Sequence, residues 1–164
     1  MKHIILIAHN VRSTHNVGSL LRTAEGLGVD SVILSGYTPY PITMDDQRLP
    51  HEARKTDRQI DKTALGAQNF IDWSHSDDIT ETIADLTSAG YTVYGLEQTP
   101  AATPLNDFSA PEKVALIVGR EVEGIEPEVL ALCKGALEIP MLGKKESFNV
   151  VQAAAMALYV FRYS

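Results

Sequence analysis

A single cysteine, a single tryptophan and no surplus of positive charge are the first features of this 164-residue chain. Cys133 has no partner for an internal disulfide and no neighbouring cysteine for a metal site, which leaves it the role of a small buried apolar residue. With 14 Lys and Arg against 21 Asp and Glu, the net charge of -7 excludes a protein that holds nucleic acid by bulk electrostatics, because phosphate binding draws on clustered cations. No uncharged apolar run of about 18 residues precedes the C-terminal segment, and the opening MKHIILIAH reaches a histidine and a loop too soon for a secretory leader. A soluble, cytoplasmic protein with no membrane partner is expected. No G-x-G-x-x-G, no Walker loop and no metal-spaced histidine cluster occurs, so neither a dinucleotide clamp nor a metal centre is expected. Repeats, linkers and low-complexity segments are also missing, and residues 1–164 read as one domain.

What the chain does contain is an alternation of apolar runs and helical patterns. His3 to Ala8, Ser31 to Ser35, Tyr91 to Leu96, Lys113 to Val118 and Ala136 to Ile139 read as buried strands, with a weaker one over Asn69 to Trp73. Between them, Val17, Leu20, Leu21, Ala24 and Leu27 keep helical spacing behind a cap at Asn16, and Ile79, Ile83 and Leu86 do so behind Ser76 to Asp78. Pro127 opens a further short helix. Pro39, Pro41 and Pro50 mark residues 36–68 as an excursion holding one or two helical turns. Continuous apolar strands alternating with helices predict an α/β fold, a mostly parallel sheet with helices on both faces.

The last segment, IPMLGKKESFNVVQAAAMALYVFRY from Ile139 to Tyr163, is a loop followed by a helix. Asn149 and Gln152 have the spacing of a capping box, so the helix starts at about Asn149. Beyond it, Val150 to Phe161 leaves no polar face at a 3.6-residue period, and such a helix is covered all round. One side can lie under the chain's own sheet. The other predicts a homodimer.

Ligands of such sheets sit beyond the carboxyl ends of the strands, here the loops after Leu96, after Val118 (G-R-E-V-E-G, Gly119 to Gly124) and after Ile139. Gly119 and Gly124 suit either close backbone approach to a ligand or a tight strand-to-helix turn, and Glu121 either a ligand contact or a cap. Arg48, His51, Arg54, Lys55, Arg58 and Lys62 fall within fifteen residues, interleaved with Glu52, Asp57 and Asp61, and Lys144 and Lys145 precede the last helix. A solvated charged face and a local RNA-facing patch both fit that spacing. Arg22 points nearly opposite the apolar stripe of its helix, so it is not a core residue.

Three stretches together resemble the SpoU/TrmH branch of the SPOUT RNA methyltransferases: Asn16-Val17-Gly18 with Leu21-Arg22-Thr23-Ala24, then Leu116 to Gly124 (LIVGREVEG), then Ile139 to Ala153 (IPMLGKKESFNVVQA). The resemblance implies a deep C-terminal trefoil knot, against the general rule that chains do not knot. It implies S-adenosyl-L-methionine held at Leu96, Gly119, Ile139, Met141, Ser147 and Phe148, with Glu121 and Asn149 bracing the loops. The implied reaction is methyl transfer to a ribose 2′-hydroxyl in tRNA or, alternatively, rRNA, by a catalytic set of Arg22, Asn16, Ser147 and Asn149. Dimers would place Arg22 of one subunit near the cofactor of the other. RNA would be met by Arg12, Arg22, Lys55, Arg58, Lys144 and Lys145. Phe148 stands where the family usually has Leu, and the basic terminal extensions of many relatives have no counterpart here, which leaves RNA capture to the core domain or another protein. A catalytically silent knotted RNA-binding or assembly factor and a methyltransferase of small molecules or proteins are the competing readings.

Overall fold

The computed structural model describes Met1–Ser164 and builds one seven-stranded sheet. Its strands are β1 (His3–His9), β2 (Ser31–Ser35), β3 (Asp72–Ser76), β4 (Thr92–Leu96), β5 (Thr103–Pro104), β6 (Lys113–Val118) and β7 (Gly135–Glu138). They lie in the order β3-β2-β1-β6-β4-β7-β5, and every ladder pairing is parallel. The helices are α1 (Thr14–Gly26), α2 (Pro50–Ala64), α3 (Ile79–Ser88), α4 (Pro127–Leu130) and α5 (Val150–Tyr163).

Strand alternation divides the core between the two faces. Ile4, Leu6 and Ala8 of β1 and Val114, Leu116 and Val118 of β6 point into one cluster with Leu20, Leu21 and Ala24 of α1, Ile60 of α2 and Ala154, Leu158 and Phe161 of α5. Ile5, Ile7, Ala115 and Ile117 point the other way, against Ile83 of α3 and Val129 of α4. The expected double-faced α/β sheet is therefore present.

Three local expectations change. Ser13, not Asn16, caps α1: its hydroxyl accepts from the Asn16 N–H at 3.2 Å, because the chain turns helical three residues earlier than the apolar stripe alone indicates. The excursion contains a 15-residue helix, α2, since Pro50 occupies its first turn, where a missing N–H costs nothing. The weak strand slides from Asn69–Trp73 to Asp72–Ser76, with Ala67–Asn69 forming a 3-10 turn ahead of it. Helix α4 is a single turn.

Strand β7 lies between β4 and β5, with Leu137 in register with Leu96 on one side and Thr103 on the other. The link Glu97–Ala102 thus rounds the carboxyl end of β7, where the chain leaving β7 must also pass. Arg162 of α5 then donates to the carbonyls of Leu27 at 3.1 Å, of Lys2 at 2.8 Å and of Gly28, closing the end of α1 with a cation where the helix dipole favours one.

Candidate functional site

At the carboxyl ends of β4, β6 and β7 the three loops enclose a cleft whose free volume, open solvent included, is about 690 Å³. Leu96, Val118, Leu137, Ile139, Phe148, Val150 and Ala153 give it apolar walls, and Glu97, Gln98, Arg120, Glu121 and Ser147 add polar groups. Five of the six expected cofactor contacts, Leu96, Gly119, Ile139, Ser147 and Phe148, line this cleft together with Glu121, expected as a brace. Met141 does not, because the chain turns away at Pro140 into an exposed loop.

Glu121 reaches out of the cleft as a brace. Its carboxylate accepts from the Ser13 N–H at 3.0 Å, the Arg12 N–H at 3.2 Å and the Asn16 side-chain amide at 3.3 Å. Burial pushes this carboxyl up, but those donors outweigh it and hold it below the usual carboxylate range. The Asn149 amide in turn donates to Asn16 Oδ1 at 3.5 Å, while Asn149 Oδ1 accepts from the Val151 N–H at 2.9 Å and caps α5. Gln152 is exposed and makes no reciprocal contact, so half of the expected capping box is absent. Asn16, Glu121 and Asn149, one from each of three distant stretches, thus form one hydrogen-bonded chain along the side of the cleft.

The glycines of the G-R-E-V-E-G loop serve the turn itself. A Cβ on Gly119 would lie 2.7 Å from Ile125 Cγ1 and 2.8 Å from the Gly124 carbonyl carbon, so its bareness admits the chain's own return, not a ligand. Gly124 sits at φ 72°, and a Cβ there would meet Glu97 Oε2 at 1.9 Å. That oxygen accepts from the Ile125 N–H at 2.9 Å, which ties the β4 loop to the β6 loop. Sequence reasoning missed Glu97; its position at a strand end beside a polar residue was the available signal.

A second cluster adjoins the cleft behind Arg120. His9, 5% exposed at the end of β1, has Nδ1 3.0 Å from Ser35 Oγ and Nε2 3.3 Å from Glu126 Oε2. Asn10 donates to Glu126 Oε1 at 3.1 Å, and Arg120 Nε lies 3.7 Å from the same oxygen while donating to the Gly124 carbonyl at 3.0 Å. The Asn10 side-chain amide also lies 3.3 Å from His9 Nε2, and Glu126 Oε2 is left without a hydrogen-bond partner. Burial, reinforced by Arg120, holds the His9 pKa down against the pull of Glu126.

The remaining expected residues lie outside the cleft. Arg22 is exposed on α1 and makes no ion pair or hydrogen bond within the chain, and Lys55, Arg58, Lys144 and Lys145 are likewise exposed and unpaired. Arg12 is taken up by Glu123, at 2.9 Å. Next to the cleft, and sharing Ile139 with it, an apolar groove is lined by Leu105, Pro140, Ala155, Met156, Tyr159 and Val160. Tyr159 in the groove and Tyr163 one turn further along α5 are 58% and 69% exposed, so only one side of α5 is covered by its own chain. No group of three or more His, Cys, Asp or Glu could hold a metal ion, and no helix is long and apolar enough to cross a membrane.

Residues 3–159 match the model of the SpoU rRNA methylase family. This chain belongs to that family. A Staphylococcus aureus (strain COL) relative, "Putative TrmH family tRNA/rRNA methyltransferase", is 30% identical over 159 residues, which are 96% of this chain and 58% of that protein. The chain therefore spans a little over half the length of such curated relatives. Among solved structures, the SpoU methyltransferase AviRb from Streptomyces viridochromogenes in complex with AdoMet shares the fold with a TM-score of 0.77 and 21% identity, over 96% of this chain and 56% of that one. A structure described as giving insights into the 2-OH methylation of C/U34 on tRNA has a TM-score of 0.73 and 23% identity, and is covered over 93% of its length. In this SpoU-family chain, two of the three stretches that carry the resemblance, Leu116–Gly124 and Ile139–Ala153, supply walls of the cleft, and Asn16 of the third joins them through its hydrogen bond to Glu121.

Proposed function

We propose that this SpoU-family chain is an S-adenosylmethionine-dependent RNA methyltransferase that modifies a ribose 2′-hydroxyl, in tRNA first and in ribosomal RNA as the second reading. The observation that carries the proposal is the Asn16–Glu121–Asn149 chain, which draws the three motif stretches around one cleft. The tRNA reading is supported by the neighbour of similar length that is described with tRNA, and the ribosomal reading by the family's own description.

The residues present fit the cofactor. Apolar walls at Leu96, Val118, Leu137, Ile139 and Phe148 suit an adenine ring, and the backbone of residues 140–148, free of hydrogen bonds within the chain, has donors and acceptors to spare for its polar atoms. S-adenosylmethionine, when bound, supplies an electrophilic methyl group on sulfur. Ser147 and the Phe148 ring, 40% exposed, border the space it would fill. On this reading the last segment threads past the Glu97–Ala102 link as the family's trefoil knot.

A second copy of the chain is proposed to seat its α5 on the apolar groove beside Ile139, which brings the partner's α1 to the cleft. Arg22, exposed and unpaired, would arrive from that partner. Its guanidinium stays charged at any working pH, so it is a poor base. Its role is to clamp the phosphate beside the target ribose and stabilise the developing alkoxide, while the phosphate or a water takes the proton. Arg12, Lys144 and Lys145 would meet the RNA around the cleft mouth.

Incubating the protein with labelled S-adenosylmethionine and cellular RNA, then mapping ribose methylations with and without the gene, tests the reading. Label on a 2′-O-methylated nucleotide is expected. Cofactor-dependent RNA binding with no methylated nucleotide would point instead to a silent RNA-binding factor.

A further inference from the structure

Helix α2 carries a feature that methyl transfer does not use. Its buried residues Ala53, Ile60 and Ala64 face α1, and the two helices touch where Gly18 would put a Cβ 2.1 Å from Thr63 Oγ1 and 2.2 Å from the Ile60 carbonyl. Thr63 Oγ1 donates to the His15 carbonyl at 2.7 Å. The helix is thus fixed in rotation, and its outward face is determined.

At 100° per residue, His51, Lys55, Arg58 and Lys62 fall within an arc of about 60° that stands nearly opposite the buried residues, with Arg54 at its edge. All five are exposed, and none makes an ion pair or hydrogen bond within the chain. The acidic residues of the same helix lie on its flanks, and two of them are engaged. Asp57 accepts from the Ile42 N–H at 2.9 Å, and Asp61 accepts from the Gly66 N–H at 3.1 Å and the Gln68 amide at 2.8 Å. The alternation of signs seen in the sequence is therefore sorted in space into a cationic line from Lys55 to Lys62 about 10 Å long, at 1.5 Å per residue over seven residues. In a chain of net charge -7, uncompensated cations in a straight row oppose the average of the surface.

We infer that the outer face of α2 is a track for an RNA phosphate backbone, separate from the cleft. The inference rests on RNA being the substrate, and it adds where an acidic protein grips its RNA. A row of Lys and Arg with no carboxylate among them complements evenly spaced phosphates, and without aromatic residues or an apolar pocket along the row it reads charge, not base identity. The adjoining helix α1 carries Arg22, so an RNA strand held on α2 is a helix's width from the residue assigned to chemistry.

The test compares wild type with the triple variant Lys55→Gln, Arg58→Gln, Lys62→Gln, using unfractionated tRNA and polyuridylate as probes over a range of salt concentrations. Each single-strand phosphate contact contributes roughly 0.7 to the slope of log affinity against log salt, so three contacts should lower that slope by about 2. The charge-preserving triple Lys55→Arg, Arg58→Lys, Lys62→Arg should keep the wild-type slope. S-adenosylmethionine affinity by calorimetry should not change in either variant. Unchanged RNA affinity in the neutral triple, or weaker binding with an unchanged slope, overturns the track, as does a wild type with no salt-dependent RNA binding. A slope that falls as expected in a protein that methylates no RNA upholds the track and overturns the methyl-transfer reading instead.

Discussion

Replacing Gly124 with alanine should unpin the cleft from inside, and the cost follows from two contacts. Alanine at φ 72° carries the left-handed penalty of about 1–2 kcal/mol. Its Cβ would also sit 1.9 Å from Glu97 Oε2, so the carboxylate must swing away and release the Ile125 N–H it holds at 2.9 Å. A hydrogen bond to a charged group is worth roughly 1.5–3 kcal/mol. Together they give a loss of about 2.5–5 kcal/mol, read as a shift in the urea midpoint with an unchanged slope. The two terms separate in a double-mutant cycle. In a Glu97→Ala background the hydrogen bond is already gone and the obstructing atom with it, so Gly124→Ala should cost only the conformational term of about 1–2 kcal/mol. Full additivity of the two substitutions, or a Gly124→Ala protein as stable as wild type, would refute the account of the bridge. Calorimetry should show weaker S-adenosylmethionine binding in both single variants, since the β4 and β6 loops form two of the cleft's three corners.

Arg22→Ala should retain cofactor affinity and lose on the order of 10²–10³ in methyl-transfer rate, with Arg22→Lys recovering a small part; near-normal turnover by the alanine variant on its RNA would remove Arg22 from the chemistry. Glu at Met156 and Tyr159, through Met156→Glu with Tyr159→Glu, should convert a dimer to a 17.9 kDa monomer in light scattering, and a wild type already of that mass would remove the dimer. His9 has its pKa lowered from 6.5 in the fold, so the unfolded chain takes up a proton first as pH falls. Stability should therefore be complete above about pH 7 and decline below 6.5, a decline that His9→Gln abolishes in urea melts. The carboxyls of Glu121 and Glu126 are lowered from 4.5, so their stabilisation holds above that value and is lost as pH falls further; a stability curve flat from pH 7 to 3 would contradict both assignments.

Strands were readable because burial on both faces writes them as unbroken apolar runs, and Lys113–Val118 falls where the residues alone put it. Helix α2 was not, because its apolar residues are only Ala53, Ile60 and Ala64 while prolines surround its start, and the proline that reads as a breaker occupies the first turn. The two-residue strand β5 has no local signal at all, since its existence depends on pairing with β7 more than thirty residues later. Within the site, the motif residues Asn16, Glu121 and Asn149 were legible by type, and their mutual hydrogen bonds were not. The role of Gly119 changed for a similar reason: a bare α-carbon is visible in the sequence, but whether ligand or chain fills the space depends on where Ile125 returns.

The position of β7 between β4 and β5 also sets the order in which the molecule can be assembled. Strands β3, β2, β1, β6 and β4 are mutual neighbours and can pair as soon as Val118 has been made. Strand β5 has no neighbour except β7, so two strands and α5 must be added to a finished five-stranded platform in one late, non-local event, the kind that slows folding. Leu96 and Gly119 stand on that platform from the beginning, whereas Ile139, Ser147 and Phe148 arrive only with the last segment. Any ligand that needs all of them recognises only the completed chain, and its binding energy stabilises that final step alone.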